Sequence, residues 1–175
     1  NITVEFFVEY NKDVKNFENA EREALFYSNI FGHVPHFLKI RTKKIYIHRD
    51  IGKDDGTWWA PTNKREFHIN RSRCSIPNIA DYAACHITMM HELAHVLQDG
   101  TKLISPSKWK KARKLDKKKY CSKYGKKNLR EDFAESILCW IAVRYKPNKI
   151  AKTYVIKINQ FIPNRLKFFD DMNFN

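Results

Sequence analysis

The most regular pattern of apolar and polar positions runs over residues 79–97. Ile79, Ala83, Ile87, Met90, Ala94 and Leu97 recur at helical spacing and predict a buried helix. Gly100 follows the last of them and suits a C-terminal cap. The opposite stripe carries Ala84, Thr88, His91, His95 and Gln98, so two histidines share one face. Before this helix, residues 3–10 are dense in β-branched and aromatic side chains and predict a strand. A helical pattern opens at Asp13 and runs through Val14, Phe17, Ala20, Ala24, Leu25, Ile30 and Phe31 to a stop at Gly32. Residues 37–40 and 44–48 read as two strands around a polar turn, and residues 66–70 as another. Pro61 keeps its own neighbourhood out of a central strand.

After Gly100 the pattern is helical throughout. Ser105-Pro106 forms a cap and first-turn pair. Residues 108–120 follow as a basic helix with Trp109, Ala112 and Leu115 inward. Asn128 caps a helix over 129–145, which Pro147 terminates. A last helix over 148–161 turns Ile150, Tyr154, Ile158 and Phe161 inward. The tail carries Leu166, Phe168, Phe169, Met172 and Phe174, which is too apolar to stay free, so it is expected to pack back on the domain. The expected class is α+β. A small N-terminal mixed sheet, its backing helix and the 79–97 helix form a lobe over 1–100. A helical lobe spans 101–175, and both belong to one domain.

Composition narrows this picture. A chain of 175 residues supports one core. No run approaches the roughly 20 apolar residues needed to span a bilayer. No secretory leader pattern is present, and a chain that opens on Asn1 rather than Met is silent on that point. The formal net charge is +14. Residues 108–127 hold eleven Lys or Arg against Asp116, a net +10. Such a patch favours acidic partners: nucleic acid, anionic lipid or an acidic protein surface. Its bland alternative is a solvated helix face. The four cysteines, Cys74, Cys85, Cys121 and Cys139, form no CxxC pair, which argues against a zinc knuckle. Cys85 and Cys139 fall in apolar helical patterns and read as small buried hydrophobes, which fits a reducing compartment; the alternative is disulfide bonding, with three pairings open to four thiols.

The chemistry centres on His91-Glu92-Leu93-Ala94-His95, an HExxH sequence. Side chains four apart on a helix have Cβ atoms about 6 Å apart. Two imidazoles so placed can both bond one zinc ion at about 2.0–2.1 Å. Glu92 projects beside them and can take a proton from a zinc-bound water. The competing reading is a chance pentapeptide in a core helix. A catalytic zinc needs a third protein ligand. No histidine follows His95, and Thr101 excludes the HExxHxxGxxH pattern. The remaining candidates are Glu131, Asp132 and Glu135. Glu131 and Glu135 share a helix face, so one can bind the metal while the other orients an imidazole. Assigning Glu131 to zinc leaves Glu135 one turn on as the orienting group. The reverse assignment leaves only Cys139 at that position. The alternative for Glu131 is a capping acid three residues after Asn128. Trp58 and Trp59 beside a turn, with His68 on the next strand, are candidates to line a substrate cleft, against core packing. An edge strand at 66–70 would hold an extended substrate by main-chain pairing.

HExxH followed by ExxxE on a later helix looks like a gluzincin metallopeptidase. The closer resemblance is to the catalytic domain of anthrax lethal factor and its relatives, in which a Tyr-Gly precedes an Asn and a Glu-x-Phe-Ala-Glu run. This chain has Tyr124-Gly125, Asn128 and Glu131-Asp132-Phe133-Ala134-Glu135. The resemblance covers roughly residues 85–140. It implies a zincin-like fold and one catalytic Zn2+ held by His91, His95 and Glu131. It also implies Glu92 as the base and Tyr124 near the developing oxyanion. The lysine-rich insertion and the absence of the family's further domains leave the substrate open. The expected function is a monomeric zinc endopeptidase, a secreted or translocated bacterial effector or toxin. It would cut a host protein, such as a cytoskeletal or signalling protein, in a reducing compartment, with an acidic substrate surface docking on 108–127. The competing functions are a nucleic-acid-associated basic protein and a zincin-like scaffold that binds metal without turnover. An intact Glu92 argues against the scaffold.

Overall fold

A computed structural model describes residues 2–9, 15–48, 58–62, 64–70, 79–100 and 105–174, with the backbone alone at 79–81 and 100. The helix start expected at Asp13 and Val14, and Cys74, lie outside the described residues. The described chain is mixed α+β, and it divides into two compact units, 1–100 and 101–175.

In the first unit, β1 (Glu5–Val8), β2 (Lys44–His48) and β3 (Glu66–Asn70) lie in that order, all parallel. Phe6 pairs with Ile45, Val8 with Ile47, Ile45 with Phe67 and Ile47 with Ile69. Alternation puts these side chains on one face, where Ile45, Ile47, Phe67 and Ile69 are buried. The expected mixed sheet is therefore parallel among its three strands. Its antiparallel element is a single bridge between Trp59 and His68. Parallel neighbours need a crossover, and α1 (Phe17–Gly32) and α2 (His36–Lys39) supply it between β1 and β2. Asn16 caps α1, its Oδ1 accepting from the Asn19 N–H at 2.9 Å. α1 and β3 both pack against α3 (Ile79–Gly100).

Three expectations for this unit change. Residues 37–40 were read as a strand, yet α2 occupies His36–Lys39. Phe37 and Leu38 are both buried within that helical turn. On α1, Phe17 and Leu25 are exposed, and Tyr27, Ile30 and Phe31 carry the burial. On α3, Ala94 and Leu97 of the expected stripe are buried, but Ala83 and Ile87 are exposed, and Cys85, Met89, Leu93 and Val96 carry the rest of the burial. That helix is apolar on more than one face, so periodicity alone does not select the stripe that packs.

The second unit is helical: α4 (Pro106–Leu115), α5 (Leu129–Tyr145), α6 (Lys152–Phe161) and α7 (Pro163–Asp170). Ser105 caps α4, and Asn128 caps α5 by accepting from the Arg130 and Glu131 N–H groups at 2.9 Å. The apolar tail does pack back. It forms α7, which lies against α4 and α5. There Phe169 meets Trp109 at 5.4 Å and Phe133 at 5.2 Å between ring centroids. Leu115 and Tyr154, expected inward, are exposed. Cys121 and Cys139 form a disulfide that ties the segment after α4 to α5, and Cys85 is disulfide-bonded as well. The reading of Cys85 and Cys139 as plain buried thiols is corrected accordingly. Among the described residues no helix is long and apolar enough to cross a membrane.

A buried ionic cluster organises this unit. Arg165 is fully buried and donates to Asp116 Oδ2 at 2.9 Å and to Asp132 Oδ2 at 3.0 Å. It also donates to the Lys119 carbonyl at 3.0 Å. Asp116 Oδ1 caps the start of α7, accepting from the Asn164 backbone and side-chain amides. Arg113 lies 3.3 Å from the same Asp132 oxygen. Burial pushes the Asp132 carboxyl up, and the Arg165 guanidinium opposes that shift. Removing one partner leaves the others charged without compensation, which costs about 3–5 kcal/mol. Arg165→Met is expected to lower unfolding free energy by about that amount in urea titrations. Lys167→Ala, which removes only an exposed pair with Asp171, should leave the urea midpoint unchanged.

Candidate metal centre

α3 delivers the two histidines. His91 and His95 are one turn apart and point the same way, as their spacing requires. Their Nε2 atoms are 3.2 Å apart, and the rings are perpendicular. Two imidazole nitrogens on one tetrahedral ion, each bonded at about 2.0–2.1 Å, stand about 3.3 Å from each other. The pair therefore already has the spacing that a shared ion imposes. Both histidines are buried, His91 8% and His95 1% exposed, and Glu92 beside them is 9% exposed.

α5 delivers the carboxylate. Glu131 is the third residue of that helix, and its backbone N–H is satisfied by Asn128. The ligand atoms of His91, His95 and Glu131 lie within 4.8 Å of one another, and these three residues form a possible metal site. Two imidazoles and a carboxylate are the donor set of a catalytic zinc with one position left for water. Glu131 is 9% exposed, a burial that a solvated capping acid does not need.

Glu135 lies one turn further along α5 and is half-buried. Tyr124 opens a 3₁₀ turn, Tyr124–Lys126, and is 48% exposed. The Lys127 ammonium sits 5.3 Å from the centre of its ring. Gly125 sets that turn against α5. A Cβ there would lie 3.4 Å from Glu135 Cβ and 3.5 Å from Asp132 Cα.

The candidate cleft residues separate. Trp58 is in the core, not in a cleft. Its indole donates to the Asn70 carbonyl at 3.0 Å, and its ring packs on Tyr27 and Phe67. Trp59 is 38% exposed and stacks on His68 on the other face of the sheet. Burial and the neighbouring His48 hold the His68 imidazole below its usual pKa, against the pull of Glu66. The edge expected at β3 is occupied at His68, whose N–H and carbonyl both pair with Trp59. At that position the outer strand is the Trp59 segment.

Two groups of residues escaped the reading of the sequence. His48 hydrogen-bonds the candidate residue His68, and its only signal was that it falls, like His68, on a polar position of an alternating strand. The Asp116–Arg165–Asp132 cluster had no signal, because buried charges far apart in sequence show no pattern.

Comparison with known protein families, with characterised proteins and with solved structures yields no match.

Equilibrium dialysis against a divalent ion tests the ligand set. Glu131→Ala should abolish stoichiometric binding at micromolar ion. Glu135→Gln should weaken it by roughly 10–100-fold, as for an outer hydrogen-bond partner of a ligand. Equal losses in the two variants would refute the division of roles.

Proposed function

We propose that this chain is a zinc-dependent endopeptidase of the gluzincin type with a zincin-like fold. His91, His95 and Glu131 would hold the ion. The observation that carries the reading is the convergence of those three donors beside Glu92. The donor set suits zinc, a borderline ion that takes imidazole and carboxylate together. Bound zinc supplies a water with a pKa near 7 and a polarised scissile carbonyl.

The chain's own residues do the rest. Glu92 accepts the proton from the attacking water and later passes it to the departing amine nitrogen. The Tyr124 hydroxyl donates to the carbonyl oxygen as negative charge builds there. Donors in that role are worth roughly 2.7–4 kcal/mol of transition-state stabilisation. Glu135 positions a ligating imidazole by accepting its second N–H. Exposed Trp59 offers an apolar ring to an extended peptide at the sheet edge.

The substrate we infer is a protein, and the resemblance to lethal-factor-like domains points to a secreted effector or toxin acting on a host target. The disulfides support the secreted part, because such bridges persist in oxidising compartments, and they weigh against a reducing site of action. The basic segment supports an acidic docking partner. Lys110, Arg113, Lys114, Lys117 and Lys118 line one open hollow of about 680 Å³ with Tyr120 and Leu129. The same hollow favours a second reading, a protein that binds nucleic acid through phosphate contacts.

Glu92→Gln should retain bound zinc and lose nearly all hydrolysis of a cell lysate that the wild type cleaves and a chelator protects. Turnover persisting in that variant would remove Glu92 from its role. Affinity for duplex DNA should be weak and equal across sequences. A steep log–log fall of tight binding with salt would instead favour the nucleic-acid reading.

A further inference from the structure

Half of the ten residues of α6 are apolar, yet none of them is buried. Tyr154, Ile158 and Phe161 stand at positions i, i+4 and i+7, the spacing of a stripe that a surface helix ordinarily turns into its core. Here that stripe lines an open hollow of about 390 Å³, and Tyr154 is left 63% exposed. An uncovered apolar stripe of this kind marks a binding groove.

The facing wall is the segment between α4 and α5, which contributes Tyr120, Ser122, Lys123 and Lys126. The Cys121–Cys139 disulfide ties that wall to α5, and Ser122 Oγ accepts from the Gly125 N–H at 3.1 Å. The Tyr120 hydroxyl accepts from Arg113 Nη2 at 3.2 Å. The hollow is thus shaped before anything enters it, which limits the ordering cost of binding. A mainly apolar and aromatic lining with a few polar groups, at this volume, is that of a small-molecule site.

Its charged groups are all of one sign. Lys123, Lys126 and Lys157 line the hollow, and no acid does. The two stretches that frame it, 117–130 and 136–169, contain no Asp or Glu. Phe161 gathers two ammonium groups at its ring, Lys157 at 5.3 Å and Lys119 at 5.2 Å from its centroid. Like charges held together repel, and an anion among them removes the repulsion. The occupant therefore combines an apolar body with an anionic head. Seven residues of helix rise about 10.5 Å, so the stripe is longer than an aromatic ring and suits a chain. The other hollow, around Lys110, Arg113 and Lys114, has a mostly basic lining and lacks such a stripe.

We propose that the hollow beside α6 binds a single-chain anionic amphiphile of the fatty-acid type. Its chain lies along Tyr154, Ile158 and Phe161, and its carboxylate sits among the Lys123, Lys126 and Lys157 ammonium groups. The site lies wholly within the helical unit, and the proposal does not rest on the peptidase reading.

Isothermal titration with dodecanoate, kept below its micelle concentration, is the test. The wild type should take up one equivalent. Decanoate and octanoate should bind more weakly, by roughly fourfold for each methylene lost. Lys157→Glu should weaken binding about tenfold or more by placing a like charge at the head. Tyr154→Ser should cost about tenfold by removing one apolar wall. Both side chains are exposed, so circular dichroism should be unchanged. Lys114→Glu makes the same charge change in the other hollow and should leave the affinity within a factor of about two. Equal losses from Lys157→Glu and Lys114→Glu would mean attraction to the cationic surface as a whole and overturn the proposal, as would affinity independent of chain length. Co-sedimentation with phosphatidylglycerol vesicles without uptake of free dodecanoate would make this face a membrane-docking surface and overturn it as well.

Discussion

The helical unit depends on one buried cation. Arg165 holds Asp116 at the end of α4 and Asp132 in the first turn of α5, while belonging itself to α7. Its guanidinium also lies over the Trp109 and Tyr120 rings. Three helices are thereby fixed by a planar fork with directional bonds, which apolar packing alone does not provide. The consequence for function is rotational. With Asp132 turned to Arg165, the preceding Glu131 is directed about 100° away around α5, the angle between successive helix residues.

The two histidine pairs show how one side chain serves different geometries. On α3 the pair is set by helical spacing, and its rings meet at right angles. On the sheet the pair comes from neighbouring parallel strands, and its rings lie in one plane between a tryptophan and a tyrosine. The first arrangement converges on a point shared with a carboxylate, and the second defines a line. Backbone architecture, more than residue identity, sets how the rings of each pair meet.

Charge is concentrated on the turn after α4. Lys117 and Lys118 there adopt left-handed backbone conformations, at φ of 51° and 59°. Non-glycine residues pay for that conformation with local strain. The turn brings the chain round so that Lys119 offers its carbonyl to Arg165, and the lysine side chains are left on the open hollow. The buried cluster and the basic surface are thus two sides of the same turn.

Much of this was legible locally. The bounds of β2, β3 and α5, the caps at Ser105 and Asn128, and the HExxH helix follow from periodicity, propensity and capping. Those are interactions between residues a few positions apart. Residues 37–40 misled because two adjacent apolar residues fit a strand or a helical turn equally well. The buried stripe of α3 misled because an apolar helix has several faces to offer. The sequence by itself determined which side chains could ligate and how His91 and His95 are spaced, because a helix has one period. Only the tertiary structure decided that Glu131 is the acid beside them, that Arg165 is buried between two aspartates, and that His48 and His68 meet edge to edge. Those pairings join residues distant along the chain, and nothing in local spacing encodes which of them will share a site.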